Sequence, residues 1–192
     1  MKPAVQSIAF MLATFLGVVA SASSPRPYLI DHVLIHARDG ALLSALVVRP
    51  ANINRRRPTA LEFTIYVNPG RDLKRLEYAA DRGYAGVMAY TRGKNTSPQR
   101  IVPYEYDGQD ANGVIDWIAE QPWSDGQVGM MGGSYDGFTQ WAAAKFANPH
   151  LKTIVPVVPN NPGNGLPMQN NVFLLANYAW IYYVTDNKML DD

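Results

Sequence analysis

The 192-residue chain is 47% apolar and 17% charged, with a formal net charge of +1 and no cysteine. A chain of this length can bury the core of one domain. A near-neutral balance without a basic stripe or acidic tail excludes an electrostatic nucleic-acid binder, and the lack of cysteine excludes a disulfide framework and thiolate chemistry.

Residues 1–22 have the form of a secretory leader: Lys2 near the start, an apolar run over residues 8–19, then Ala20-Ser21-Ala22 as a small-x-small cleavage pattern. The run is too short to span a bilayer comfortably. Cleavage before Ser23 is expected. That leaves a formally neutral mature chain that is secreted or periplasmic and unattached to membrane.

Residues 28–48 then read as a β-hairpin turning at Asp39-Gly40. Residues 51–58 read as a polar loop, with Arg55, Arg56 and Arg57 as solvated charge. From there strand and helix alternate. Strands are predicted at 61–67, 84–90, 127–131 and 151–158. Helices are predicted at 71–82, ending before Gly83, within 104–121, and at 135–147. Strands separated by helices of this length imply crossover connections and a mostly parallel sheet, hence an α/β fold with an antiparallel hairpin at its front. Residues 172–184 read as a dense aromatic and aliphatic helix buried against other protein.

The stretch that carries chemistry is the junction of the 127–131 strand with the helix that follows, Gly132-Gly133-Ser134-Tyr135-Asp136-Gly137. A serine closely flanked by glycines at a strand-to-helix turn has the form of a nucleophile elbow. The turn is sharp, so glycines stand where side chains would collide. The serine hydroxyl is lifted above the sheet edge, and the helix start aims its N–H groups at a developing oxyanion. Tyr135 would supply one such N–H. The usual spacing is G-x-S-x-G, whereas here Asp136 holds the last place and Gly137 comes one later, so a Gly-Ser loop that merely caps a helix is the competing reading.

The surroundings decide between these by resemblance. The block from Gln121-Pro122-Trp123 through the elbow to Thr139-Gln140-Trp141 resembles the Xaa-Pro dipeptidyl-peptidase and cocaine-esterase (CocE/NonD) family of α/β-hydrolases, whose elbow reads G-x-S-Y-x-G. Further matches are Gly40, Arg82-Gly83-Tyr84, Tyr90-Thr91-Arg92-Gly93 and the run from Leu151 to Pro156. The resemblance implies an α/β-hydrolase fold and a serine esterase or peptidase without cofactor or metal, acting on small esters, amides or peptides through Ser134. It also implies an oxyanion hole of the Tyr135 N–H and a tyrosine hydroxyl that directly follows a proline. After Pro69 this chain has Gly70, so the second donor is either Tyr66, on the preceding strand, or the Gly70 N–H. Taken on its own, Tyr66 reads as a packed strand aromatic.

Other polar groups read as structural. His32 and His36 share a strand face, but zinc needs three or four protein ligands and no third histidine is near. Glu105, Asp107 and Asp110 read as charge complementing a helix dipole. His150 reads as a helix C-terminal group, too close in sequence to Ser134 to be its base. After Ser134 the only histidine is His150, and the one acid that precedes it, Asp136, sits inside the elbow and cannot serve as the distant triad acid this fold requires. The expected organisation is therefore a leader (1–22), the N-terminal part of an α/β-hydrolase domain (23–160) and the start of a helical cap (161–192), C-terminally truncated. A non-catalytic fragment lacking the triad acid and histidine is the alternative.

Overall fold

The computed structural model describes residues 27–52, 55–186 and 188–189; the expected leader over 1–22 lies outside the described residues. Six strands form one sheet: β1 (Tyr28–His36), β2 (Leu42–Pro50), β3 (Arg57–Thr64), β4 (Ala85–Tyr90), β5 (Ser124–Gly133) and β6 (Leu151–Val157). Their order is β1-β2-β4-β3-β5-β6. β1 and β2 are the expected antiparallel hairpin, and β2 also pairs antiparallel with β4. β4, β3, β5 and β6 run parallel to one another. The hairpin turns where Gly40 takes φ +86° and the Asp39 carboxylate accepts from the Ala41 N–H, a conformation that suits glycine.

Helices cover both faces, which is why β2 and β4 read as continuous apolar runs rather than alternating ones. On one face, α2 (Asp107–Glu120) and α3 (Tyr135–Ala144) close a core of Leu43, Val47, Leu61, Phe63, Val87, Val114, Ile115, Ile118, Val128 and Met130. On the other, α1 (Pro69–Asp81) packs Leu76 and Ala80 onto Leu46, Val48, Met88 and Tyr90. The start of α1 is defined by reciprocal bonds: the Asn68 side chain accepts from the Arg71 N–H, and Asp72 accepts from the Asn68 N–H, with Pro69 in the first turn. Arg82 caps the helix and Gly83 follows at φ +91°.

Three expectations are corrected. β3 begins at Arg57, inside the segment read as a loop. Arg57 is buried and its guanidinium donates to the Gly83 carbonyl at 2.8 Å. Its backbone pairs with β5 at Ser124, so strand register overrides the charge of the side chain. β3 also ends at Thr64, and residues 65–67 leave the sheet. The predicted helix over 172–184 is divided. A two-strand ribbon, β7 (Met168–Gln169) and β8 (Val172–Phe173), turns at Asn170 and Asn171, both with positive φ, and α4 runs from Asn177 to Asp186. Asparagine tolerates that backbone region; the ribbon it closes takes Val172 and Phe173 into a strand, and residues 174–176 separate them from α4. Val184 alone on α4 is fully buried, while Tyr178, Tyr182 and Tyr183 are exposed. No helix among the described residues is long and apolar enough to cross a membrane.

Candidate active site

Ser134 stands between the end of β5 and the first residue of α3, with φ 55° and ψ −118°. Its residue is exposed. A non-glycine residue in this region costs of order 1–3 kcal/mol, so its neighbours must impose it. The Ser134 N–H donates to the Val157 carbonyl at 2.9 Å, and its own carbonyl accepts from Gly137, Phe138 and Asn160 N–H groups at 3.0, 3.1 and 3.2 Å. Two glycines make the turn sterically feasible. A Cβ on Gly132, whose φ is +143°, would lie 2.6 Å from the Asp136 Cβ; one on Gly137 would lie 2.9 Å from the Pro159 Cα. The displaced glycine thus sits where α3 crosses the segment leaving β6. Gly133 is less confined, its built Cβ meeting Val157 at 3.4 Å.

Tyr135 opens α3, so its N–H belongs to the first helical turn, where N–H groups have no intrahelical acceptor. The Tyr66 hydroxyl lies within hydrogen-bonding reach of the Ser134 side chain and accepts from the Trp180 indole N–H at 3.0 Å. Burial pushes the Tyr66 phenol up, so it stays protonated at neutral pH. Gly70 lies in the exposed first turn of α1. The structure therefore brings Ser134, Tyr135 and Tyr66 together, and Tyr66 arrives because the chain leaves β3 after Thr64.

Sequence reasoning missed the residues behind this group. The Ser134 hydroxyl donates to the Asn160 side-chain oxygen at 3.3 Å, and the Asn160 amide donates to the Tyr104 hydroxyl at 2.8 Å. Tyr104 has φ 70°, and its N–H donates to the Tyr135 hydroxyl. Tyr135 in turn donates to Asp107 at 2.7 Å. Rings of Tyr66, Tyr104, Tyr135, Phe138 and Trp180 pack with centroids 4.8–6.3 Å apart. The only forewarning was density of aromatics; the contacts join segments far apart in sequence.

The acids at the start of α2 are not simply dipole charge. Asp107 and Asp110 are both buried. Burial pushes Asp107 up to about 7, while Asp110 takes a bidentate pair from Arg92 at 2.6 and 2.7 Å. His150 is also corrected. Its Nδ1 sits 2.9 Å from the Gly126 carbonyl, at the end of the sheet where β6 begins, and not on the α3 terminus. His32 and His36 are exposed on β1.

Beneath the elbow, Asp136 and Glu62 are both buried and hydrogen-bonded to each other. Glu62 also pairs with Arg75 at 2.6 Å. Burial first, then the neighbouring Glu62 charge, raises Asp136 well above the carboxylate range. A neutral Asp136 leaves the positive end of α3 uncancelled at the serine. The raised value fixes the sign of a pH effect. The native state holds this proton more tightly than the unfolded state, so stability is lost as pH climbs from about 4 towards the folded value. Asp136→Asn removes that slope. Its melting temperature relative to the wild type is expected to be higher at pH 8 than at pH 4.5; an offset that does not change with pH would contradict a protonated Asp136.

A parallel strand, a serine in strained left-handed conformation and a helix whose N–H groups face it define the α/β-hydrolase class of site. Residues 39–189 match the X-Pro dipeptidyl-peptidase (S15) family, and the chain belongs to that family of serine esterase- and peptidase-like hydrolases. Cocaine esterase from Rhodococcus sp. (strain MB1 Bresler) is 37% identical over 132 residues, which are 66% of this chain and 23% of that protein. A solved α-amino acid ester hydrolase matches with a TM-score of 0.73 at 25% identity, over 93% of this chain and 34% of that one. A CocE/NonD family hydrolase from Staphylococcus aureus matches with a TM-score of 0.58 at 26% identity, over 66% of this chain and 27% of that one. The chain thus spans roughly a quarter to a third of the length of these relatives.

Proposed function

We propose that this chain carries the nucleophile and oxyanion hole of an exported acyl hydrolase, cleaving small esters, amides or peptides through an acyl-enzyme on Ser134. The supporting observation is the convergence on Ser134 of a helix-start N–H and a protonated tyrosine hydroxyl. In the first half-reaction the Ser134 oxygen bonds to the substrate carbonyl carbon, the π electrons move to the carbonyl oxygen, and the serine proton passes to a base. The Tyr135 N–H and Tyr66 O–H receive that oxyanion. Its collapse expels the alcohol or amine, which takes the proton, and water then hydrolyses the acyl-enzyme by the same steps. Ester cleavage accords with the names of the cocaine esterase and α-amino acid ester hydrolase relatives, and amide cleavage with the family description. The leader pattern at residues 1–22 supports export.

A second reading, a non-catalytic fragment, draws on the placement of the histidines. β1, with His32 and His36, is four strand spacings from β5, about 19 Å at about 4.8 Å each. His150 precedes Leu151 at the start of β6, whereas Ser134 follows the pairing of Gly133 with Val157 at its end, about 20 Å along the strand.

Phenylboronic acid tests the serine without demanding a general base. The Ser134 oxygen bonds to boron, its proton goes to solvent, and the tetrahedral boronate, negatively charged overall, places one of its hydroxyl oxygens in the hole. Boron NMR is expected to show this adduct with the wild type and not with Ser134→Ala. Equal spectra for the two proteins would refute the proposal.

A further inference from the structure

Helix α4 crosses the elbow. Trp180 packs against Tyr104 and Tyr135 at 5.8 and 5.9 Å between ring centroids, and its indole N–H donates to Tyr66. The helix is fixed one turn further on, where Val184 is fully buried and its carbonyl accepts from the buried Lys94 ammonium at 3.0 Å. Lys188, just beyond, donates to the Ser97 carbonyl at 2.7 Å. The indole is therefore held from both sides, by ring contacts and by an anchored backbone.

We infer that Trp180 is a positioning residue for the oxyanion hole: its N–H engages a lone pair of the Tyr66 oxygen and so directs the tyrosine proton towards the anion formed on Ser134. This rests on the serine reading above. The argument is one of hydrogen-bond inventory. A tyrosine hydroxyl has one proton and can accept from donors on its oxygen, whereas an indole N–H can only donate. With Trp180 donating, Tyr66 cannot give its proton back along that bond, and the proton is left for another acceptor. Accepting a hydrogen bond also polarises the phenol and makes it a better donor. A phenylalanine in place of Trp180 would keep the ring stack and lose this effect. Trp180 itself touches no reacting atom in this scheme.

The dissociation constant of the phenylboronate adduct, followed by boron NMR, tests the inference in wild type, Trp180→Phe, Tyr66→Phe and the double variant. Loss of one net hydrogen bond predicts that Trp180→Phe weakens the adduct about tenfold when Tyr66 is present. In the Tyr66→Phe background the same change is expected to alter it less than about twofold, because no hydroxyl remains to be oriented. Equal weakening in both backgrounds would show a packing role and overturn the inference, as would no weakening with Tyr66 present. Absence of any Ser134-dependent adduct in the wild type would instead overturn the serine reading, and this inference with it. Should Trp180→Phe fail to fold, the Trp180 indole N–H resonance in the intact protein carries the same information. It is expected to shift when boronate binds and to lose that response in Tyr66→Phe; a resonance that does not respond refutes the inference.

Discussion

Gly132→Ala is expected to destabilise the fold by about 3 kcal/mol or more, the combined cost of a left-handed backbone strain of order 1–3 kcal/mol and a hard contact within a packed core. The contact is specific. The new Cβ would lie 2.6 Å from the Asp136 Cβ, and Asp136 cannot retreat, because its carboxyl is buried against Glu62. Relief requires moving either β5 or the first turn of α3, and both carry the serine. Two other glycines calibrate the result. At Gly133, with its nearest built contact at 3.4 Å and ordinary backbone, alanine is expected to cost less than about 1 kcal/mol. At Gly113, within α2 and with open space around its built Cβ, alanine is expected to stabilise by about 0.5–1 kcal/mol through helix propensity. Urea unfolding of the three variants reads the series directly. A Gly132→Ala variant as stable as Gly133→Ala would show that the elbow is not shaped by this contact.

The same steric logic explains why the elbow was legible in the sequence. Glycine at 132 and 137 is required by backbone approach, and backbone approach depends on local chain geometry, so it leaves a local mark. The alternation of strands and helices was legible for a similar reason: apolar periodicity reports which side of an element meets the core. What escaped were contacts decided at long range. Arg57 is read as solvated until the Gly83 carbonyl, 26 positions on, receives its guanidinium. Asp107 and Asp110 look like helix-start charge until Tyr135 and Arg92 come to them from other elements. Between Tyr66 and Gly70 the sequence leaves the choice open, because it turns on where β3 ends. That end is set by the pairing of Thr64 with Tyr90, the last parallel pair with β4. The misplaced helix over residues 172–184 has another cause. Its apolar residues do not form one stripe, so periodicity could not reveal that Val172 and Phe173 pair as a strand or that the helix starts only at Asn177.

The larger effect concerns turnover. The 192-residue chain, assayed on a p-nitrophenyl ester of a short acid, is expected to fall about 10⁴- to 10⁶-fold below a serine hydrolase with a complete triad. A serine hydroxyl is a weak nucleophile at neutral pH unless a neighbouring base takes its proton. All three histidines of the chain are placed away from Ser134, two on the far strand β1 and one at the opposite end of β6. The groups that do meet the Ser134 hydroxyl are the Asn160 side-chain oxygen and Tyr66, and neither an amide nor a protonated phenol is a useful base at pH 7. Asp107, pushed up to about 7, has a suitable proton affinity, yet its carboxylate is turned to the Tyr135 hydroxyl behind the elbow. Boronate binding and turnover are therefore expected to separate: the adduct tests the nucleophile and the oxyanion hole, whereas turnover also needs the base. Supplying an imidazole buffer provides an external base and is expected to raise the ester rate of the wild type but not of Ser134→Ala. Rapid turnover without added base, abolished by Ser134→Ala, would show that a residue of this chain takes the serine proton after all.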